Sequence, residues 1–128
     1  MHIGKDLVAA AATPLVLGIL AEGESYGYAI LQRVEQLSDG ELSWSDGMLY
    51  PLLHRLERLG YVESAWHAAP SGRRRKHYLL SGDGRAVLAE QHRQWAAVSK
   101  ALEKVWKPAS DSTRLMCSHS ARASDGAW

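Results

Sequence analysis

The sequence predicts a mainly α-helical fold with a small β-hairpin, arranged as a winged helix-turn-helix plus a long C-terminal helix. Three observations predict it. Apolar residues recur at helical spacing in successive segments before residue 60. Two short alternating segments between residues 61 and 80 flank a polar loop, as in a β-hairpin. A seven-residue apolar repeat then follows within residues 83 to 106, as in a coiled-coil helix.

The N-terminal region is predicted to contain two helices. Thr13 followed by Pro14 is typical of an N-cap and a first helical position, so an apolar helix is expected to begin there and to run to Leu20. Residues 3–12 then form a separate, preceding helix. The apolar stretch is interrupted by Thr13 and Pro14 and is shorter than the roughly 20 residues that span a bilayer, so it is predicted to lie in the core.

The next predicted helix is amphipathic and covers residues 26–38, with Ser25 as its expected cap and the turn at residues 38–40 as its end. Gly27 lies in its first turn, where we expect it to let another backbone approach closely. Tyr28 is expected in the core. The core-facing positions at helical spacing are Ile30, Leu31, Val34 and Leu37.

A third helix is predicted from Ser45, as N-cap, to Leu59, with Gly60 as the C-terminal stop. Pro51 lies inside this helix and conflicts with the carbonyl of Gly47, so a strained or bent first turn is expected. The predicted core stripe consists of Leu49, Leu52, Leu53, Leu56 and Leu59. This helix and the preceding one form the expected helix-turn-helix pair.

The segments "YVESAW" and "KHYLL" predict the two strands of the hairpin, and the loop with Pro70 and Gly72 gives it a long tip. Ser81 precedes a last helix, predicted from Asp83 to about Trp106. Its seam positions are Leu88, Gln91, Trp95, Val98, Leu102 and Val105. We expect a winged helix-turn-helix domain at residues 1–82, a dimerisation helix at 83–107 and a flexible, serine-rich tail at 108–128.

Composition limits the class of protein. A chain of 128 residues, 46% of them hydrophobic, can form one core. Its single cysteine, Cys117, excludes an intramolecular disulfide and suits a reducing cytoplasm. We expect neither a signal peptide nor a membrane contact. The formal net charge is only +1, yet the loop "SGRRRKHYLL" holds four adjacent cations, which indicates one local surface for an anionic partner.

The sequence contains no recognisable catalytic or metal-binding motif. The serines and carboxylates do not lie in a nucleophile-elbow, phosphate-loop or metal-hydrolase context, so we expect no enzyme. The six histidines show no paired ligand spacing such as HxxxH, and a metal site within one chain is not expected, although a dimer could assemble one. No cofactor is expected either.

Three strings carry a resemblance to a known family: "LAEGESYGYAILQRV", "SDGMLYPLLHRLERLGYVE" and "GRRRKHYLLSGDGRAVL". They resemble the PadR family of bacterial transcriptional regulators, over residues 13 to about 106. The short C-terminal region is similar to the smaller subfamily, which dimerises through a single helix. The most telling positions are Gly27, Tyr28, Gly47, Leu49, Tyr50, Pro51, Leu56, Glu57, Gly60, Gly72, Arg75 and Tyr78.

The resemblance implies a cytoplasmic homodimer that binds a palindromic double-stranded DNA operator, represses, and is released by a small molecule. Two positions depart from the family pattern. Met48 stands where Thr or Ser is common, which removes a hydroxyl that could contact DNA. Gly82 replaces the usual helix former at the start of the last helix and is expected to loosen that junction.

In a winged helix the hairpin tip lies beside the recognition helix, so the cations of the loop can reach phosphates or the minor groove. A solvated surface loop is the alternative. Strand alternation leaves open that Arg75 supports the fold, and Tyr50 could equally contact DNA or pack against the wing. The candidate DNA-binding residues are Tyr26, Ser45, Tyr50, His54, Arg55, Arg73, Arg74, Arg75 and Lys76.

Trp95 is the candidate ligand-binding residue, because a two-fold axis through the seam would bring two copies together and some small PadR members stack planar hydrophobic effectors at such a position. The alternative is an ordinary dimer contact. Trp44 and Trp106 are expected to pack. The candidate dimerisation residues are Leu88, Trp95, Val98, Leu102 and Val105.

Two other functions compete with that of a regulator. The same fold could be a protein-interaction module without sequence-specific DNA binding, which the acidic first half of the chain favours slightly. It could also be a ligand scavenger that uses Trp95. Salt distinguishes the first of these from DNA binding, because only phosphate contacts weaken by orders of magnitude as salt rises.

Overall fold

The computed structural model describes residues 3–106, so the predicted tail at 108–128 lies outside the described residues. The elements in chain order are α1 (Lys5–Glu22), β1 (Ser25–Tyr26), α2 (Gly27–Leu37), α3 (Asp46–Arg58), β2 (Val62–Ala68), β3 (Arg74–Leu80) and α4 (Gly82–Val105). A first compact unit ends at Gln91 and a second begins at His92. No described helix has the length and apolar character that a membrane span needs.

The N-terminal helix α1 is continuous, so the prediction of two separate helices was wrong. It passes through Thr13 and Pro14 without a break. Proline in a helix interior removes one backbone hydrogen bond and costs about 3 kcal/mol. Ala12 is buried on one side of Pro14 and Val16 and Leu17 on the other. This burial, together with the alanine-rich sequence, supports the continuous helix despite that cost.

The segment after α1 forms a short strand that sequence analysis missed. Ser25 pairs with Tyr78 and Tyr26 with His77, both antiparallel, so β1 lies on the edge of β3. Ser25 is therefore not the cap of α2, which begins at Gly27 without a side-chain cap. The backbone of Ser25 is committed to the sheet instead.

Helix α3 follows its prediction closely. The Ser45 hydroxyl accepts a hydrogen bond from the Met48 N–H at 3.3 Å, as an N-cap does. The helix is continuous through Pro51, and Gly60 ends it with a φ of +84°, a conformation that favours glycine. Leu59 is the C-cap residue and is half exposed, so its assignment to the core was wrong.

The hairpin of β2 and β3 is the wing. Val62 pairs with Leu80 and Ala68 with Arg74, which leaves residues 69–73 as the tip. Gly72 in the tip has a φ of +90°. The three strands lie in the order β1-β3-β2.

The core of the first unit lies between α1, α2, α3 and the inner face of the wing. Leu37 is exposed because it is the last residue of α2, so its predicted place in the core was wrong. Leu31 packs against the core from its edge. The buried core side chains are Ala12, Val16, Leu17, Ile19, Leu20, Ile30, Val34, Trp44, Leu49, Leu52, Leu53, Leu56, Val62, Tyr78 and Leu80.

Ser81 and Gly84 fix the start of α4. The Ser81 hydroxyl accepts a hydrogen bond from the Gly84 N–H at 2.9 Å and donates one to the Gly60 carbonyl at 2.6 Å. Gly84 is buried, and a Cβ there would overlap the Tyr61 carbonyl. Gly82 faces open space. The cap and the close approach at Gly84 thus hold a junction that Gly82 was expected to loosen.

Candidate nucleic-acid interface

A groove of about 610 Å³ lies in the first unit between the start of α2, the exposed side of α3 and the wing. It brings together Tyr26, Tyr50, His54 and the four adjacent cations at residues 73–76, all of which were predicted as DNA contacts. The prediction that all four cations lie in a loop was wrong, because β3 begins at Arg74 and only Arg73 lies in the tip. We call this surface the basic groove. Its lining residues are Tyr26, Gly27, Tyr28, Tyr50, His54, Trp66, Ser71, Arg73, Arg74, Arg75, Lys76 and Tyr78.

The lining of the basic groove carries four formal positive charges, and no carboxylate is among its lining residues. Positive charges along one wall of an open groove attract a polyanion and raise its local concentration. Aromatic and histidine side chains form much of the opposite wall. The surface therefore combines positively charged side chains that can bind phosphates with polar and aromatic side chains that can contact sugars or base edges.

Arg73 and Arg74 carry the least compensated charge of the four. The guanidinium of Arg74 lies 5.2 Å from the ring centroid of Trp66, a cation–π distance, and neither side chain has an ion pair with a residue in the described range 3–106. Trp66 is 56% exposed. Trp66 was not predicted from the sequence, because only the register of the hairpin places it on the same face as Arg74.

Arg75 points to the other face of β3. Its guanidinium lies 4.4 Å from the centroid of the Tyr26 ring, on the edge strand β1. Alternation of side chains along a strand predicts this outcome, because Arg75 lies between Arg74 and Lys76 in β3. Arg75 therefore holds β1 against the wing while its charge still lines the groove.

Lys76 is paired with a carboxylate of α3. Its Nζ lies 3.4 Å from Glu57 Oε1, and the Ser64 hydroxyl donates to Glu57 Oε2 at 2.5 Å. The Ser64 hydrogen bond is the main cause that lowers the pKa of Glu57, and the charge of Lys76 adds to it. Glu57 thus joins α3 to both wing strands.

Tyr50 and His54 occupy one face of α3, one helical turn apart, with ring centroids 6.5 Å from each other. The Tyr50 hydroxyl reaches Gly27, where a Cβ would overlap it. A backbone had been expected to approach Gly27 closely. The group that does so is instead the Tyr50 side chain. Tyr50 both packs on α2 and stays 37% exposed in the groove.

Tyr28 and Tyr78 both line the groove but differ in exposure. Tyr28 is 63% exposed, so its predicted place in the core was wrong; Gln32 donates a hydrogen bond to its hydroxyl at 3.2 Å. Tyr78 is fully buried, and its hydroxyl has no hydrogen-bond partner among the described residues. Burial raises the pKa of Tyr78, so this phenol stays neutral to a higher pH than an exposed tyrosine does.

Two predicted DNA contacts lie outside the groove lining. Ser45 uses its hydroxyl as the N-cap of α3. Arg55 is exposed on α3. Met48, which had been read as the loss of a DNA-contacting hydroxyl, packs partly buried against the core, so this position contributes to folding.

The predicted seam residues differ among themselves. Leu88 packs against the core of the first unit, so its side chain makes contacts within its own chain. In the second unit, Trp95 is partly exposed, and Val98, Leu102 and Val105 form an exposed apolar stripe at heptad spacing. Trp44 packs in the core as predicted, whereas Trp106 is 65% exposed within the chain.

The structure also brings together three side chains that the spacing of the sequence does not. His67 on β2 and His77 on β3 both lie within hydrogen-bond distance of the Glu24 carboxylate, at 2.9 and 3.1 Å. Sequence analysis expected no metal site within one chain because it looked for short ligand spacings. His67 and His77 are ten residues apart and meet only through the register of the hairpin.

Comparison with known proteins agrees with this architecture. A family profile described as the transcriptional regulator PadR-like family matches residues 16–90. A transcriptional regulator from Clostridium thermocellum is 27% identical, with coverage of 82% of this chain and 99% of that one and a TM-score of 0.74. A PadR family transcriptional regulator from Eggerthella lenta is 32% identical, with coverage of 80% and 87% and a TM-score of 0.67.

An uncharacterized protein from Lysinibacillus sphaericus is 25% identical over 101 residues, which cover 79% of this chain and 93% of that protein. The family profile covers more than half of the chain and includes α2, α3 and the whole wing. The resemblance noted in the sequence is confirmed. From its fold, its sequence profile and its structural relatives, the chain belongs to the PadR-like family of transcriptional regulators.

Proposed function

We propose that this chain is a cytoplasmic, homodimeric, ligand-responsive repressor that binds a palindromic operator and has no catalytic activity. The observation that carries the DNA contact is the basic groove, which has four cations and no carboxylate in its lining. α3 would enter the major groove and the tip of the wing would lie along the phosphate backbone.

The contacts divide by role. Arg73 and Arg74 would bind phosphates without regard to sequence, because neither is neutralised by a described carboxylate. Tyr50 and His54 would lie nearest the base edges, since they project from the exposed side of α3 into the groove. Arg55 and Ser45 would contact DNA only where the duplex extends beyond the groove.

The proposed dimer rests on the heptad stripe of α4. Val98 and Val105 expose more than half of their surfaces, and Leu102 exposes 36%. An apolar stripe at a, d spacing is stabilised when a second helix covers it. A second copy of this chain is the occupant that we propose, because a palindromic site requires two recognition helices related by a two-fold axis.

Trp95 lies in the same stripe, where a two-fold axis would bring two indole rings toward each other. We propose that a small, planar, hydrophobic effector binds there. The effector can change operator binding only if it prefers one spacing of the two recognition helices over another. Titration with a planar aromatic dye should show binding to the wild-type dimer and loss of binding in a Trp95→Ala variant that remains dimeric by sedimentation.

The experiment that tests the proposed regulator is nuclease footprinting on the intergenic DNA upstream of its own coding sequence. Two protected half-sites, related by a dyad and separated by roughly 10 bp or a multiple of it, are expected for a symmetric dimer. A single, asymmetric protected site would contradict the palindromic dimer. Absence of any protected site would favour the protein-interaction module.

A further inference from the structure

Glu24, His67 and His77 form a cluster of three ligand-type side chains on the face of the wing sheet that carries Arg75. Each offers one ligand atom, and these atoms all lie within 4.8 Å of one another. Glu24 Oε2 is 2.9 Å from His67 Nε2 and 3.1 Å from His77 Nδ1. The two imidazole rings meet edge to face, with centroids 4.6 Å apart. One carboxylate oxygen thus joins two imidazole nitrogens.

The register of the sheet builds this cluster. His67 pairs with Arg75 and His77 pairs with Ala65, so the two histidines are diagonal neighbours on one face of the hairpin. Glu24 lies in the link between α1 and β1, next to Gly23, whose φ of +151° favours glycine. Because β1 pairs along β3, this link reaches the same face of the wing.

The donor set suits a transition-metal ion. Two imidazole nitrogens and one carboxylate oxygen are ligands that Zn²⁺ takes at about 2.0–2.2 Å, and three protein ligands leave a fourth position for water. Ligand atoms around such a tetrahedral ion are roughly 3.4 Å apart, within the spread of this cluster. Small rotations of exposed side chains would therefore replace the hydrogen bonds to Glu24 by bonds to the ion. All three side chains are exposed enough for an ion to enter.

We propose that Glu24, His67 and His77 bind one divalent transition-metal ion of the zinc class. The ion links the α1–β1 connection to both strands of the wing. His67 lies one residue from the end of β2, so the ion holds the half of the hairpin that leads to Arg73 in the tip and to Arg74 at the start of β3. The bound ion restricts the tip to fewer orientations. Through this restriction it affects DNA affinity, an effect that rests on the proposed function.

The test uses tag-free, full-length protein that has been treated with a chelator and dialysed at pH 7.5. Zn²⁺ is titrated by calorimetry, and Co²⁺ by its visible absorption, in the absence of DNA. Binding of one ion per chain is expected, with an intense Co²⁺ absorption typical of low coordination number. His67→Ala and His77→Ala should each weaken binding about tenfold or more, and Glu24→Gln, which keeps the shape of the side chain, should do the same.

Two controls keep the result specific. His92→Ala removes an exposed histidine of α4, outside the cluster, and should leave Zn²⁺ binding unchanged. All variants are made in a Cys117→Ser, His119→Ala background, because these two residues are other possible ligands in the C-terminal sequence. Circular dichroism establishes that each variant is folded.

Stoichiometric binding that is lost in the three cluster variants and kept in His92→Ala supports the site. Binding that survives His67→Ala and His77→Ala, or folded protein that takes up no Zn²⁺ and no Co²⁺, overturns it. Because the titration contains no DNA, failure of the metal site and failure of the proposed regulator are separate results. DNA binding with and without Zn²⁺ is then measured as a second, independent assay.

Discussion

At the scale of the residue, the four consecutive cations of the wing differ in what surrounds them. Arg73 has no side-chain partner in the described part of the chain, Arg74 lies against Trp66, Arg75 against Tyr26, and Lys76 against Glu57. The four adjacent cations therefore fall into two pairs. Arg73 and Arg74 are candidates for phosphate binding, and Arg75 and Lys76 are positioning residues. Strand alternation accounts for part of this division, because it sends Arg75 to the opposite face from its neighbours.

The double variant Arg73→Ala, Arg74→Ala should weaken binding to every DNA sequence alike. Removal of two phosphate contacts should reduce the slope of log affinity against log salt by about 2. The charge-matched control, Arg85→Ala with Lys100→Ala, changes two exposed cations that do not line the groove and should leave the slope nearly unchanged. Equal slopes for the two double variants would remove the wing from the interface.

Glu57→Gln should make the folded state less stable at pH 7, by about 1 kcal/mol from the weakened Ser64 hydrogen bond and the lost charge of its pair with Lys76. The pKa of Glu57 is lowered in the folded state, so its contribution is present above the ordinary carboxyl pKa and is lost as pH falls through the folded value. Denaturant unfolding at pH 7 and pH 3 should therefore show a larger difference in stability between wild type and variant at pH 7 than at pH 3.

Glu63→Gln is the matched control for Glu57→Gln. Glu63 is exposed on β2, and its side chain makes no hydrogen bond with a described residue. Its replacement should leave the free energy of unfolding close to that of wild type at both pH values. A Glu57 variant that behaves like the Glu63 variant would refute the role of Glu57 in joining α3 to the wing.

At the scale of the element, the sequence predicts an element well where a local signal sets its ends. Ser45 and Gly60 bound α3 because a cap and a positive φ act within a few residues. The hairpin was predicted for the same reason. α1 was predicted wrongly because the local signal of Thr13 and Pro14 was overridden by burial on both sides of Pro14.

Features that depend on pairing between distant segments could not be predicted. The strand β1 has two residues and exists only through its hydrogen bonds to β3. The groove lining was predicted in part: seven of its residues were named from the loop, from α3 and from Tyr26. Trp66 and Tyr28 were missed because their exposure depends on how the wing and α2 face α3. The cluster of Glu24, His67 and His77 depends on the register of the hairpin.

The junction between the wing and α4 supplies a matched pair of glycines. Gly84→Ala would force a Cβ into the Tyr61 carbonyl, which is backbone and cannot rotate away, so we expect a loss of about 1–3 kcal/mol in the free energy of unfolding. Gly82→Ala meets no atom within 4 Å and should be neutral or stabilising by up to about 1 kcal/mol. Thermal unfolding of the two variants measures this contrast; equal melting temperatures would contradict it.

At the scale of the whole molecule, the proposed function depends on a second copy of the chain. Each chain supplies one basic groove and one α4 stripe, and only a dimer presents two recognition helices to a palindromic site. We therefore expect DNA binding to require dimerisation. Folding of the first unit should not require it, because the core of that unit is formed within one chain.

Leu102→Glu should dissociate the dimer, because a carboxylate in the seam of two helices would be buried without a partner. Sedimentation should show a monomer, operator binding should be lost, and circular dichroism should show that the first unit is still folded. Ala96→Glu adds the same charge at an exposed position outside the heptad stripe and should remain dimeric. A Leu102→Glu variant that sediments as a dimer would refute the proposed seam.

We propose that the basic groove makes this protein a sequence-selective DNA-binding regulator. The most direct test measures the affinity of the purified protein for its own upstream intergenic DNA and for a scrambled duplex, each at low and high salt. We expect selective binding that weakens by orders of magnitude as salt rises from about 50 to 200 mM. Equal affinity for the two duplexes at both salt concentrations would contradict it.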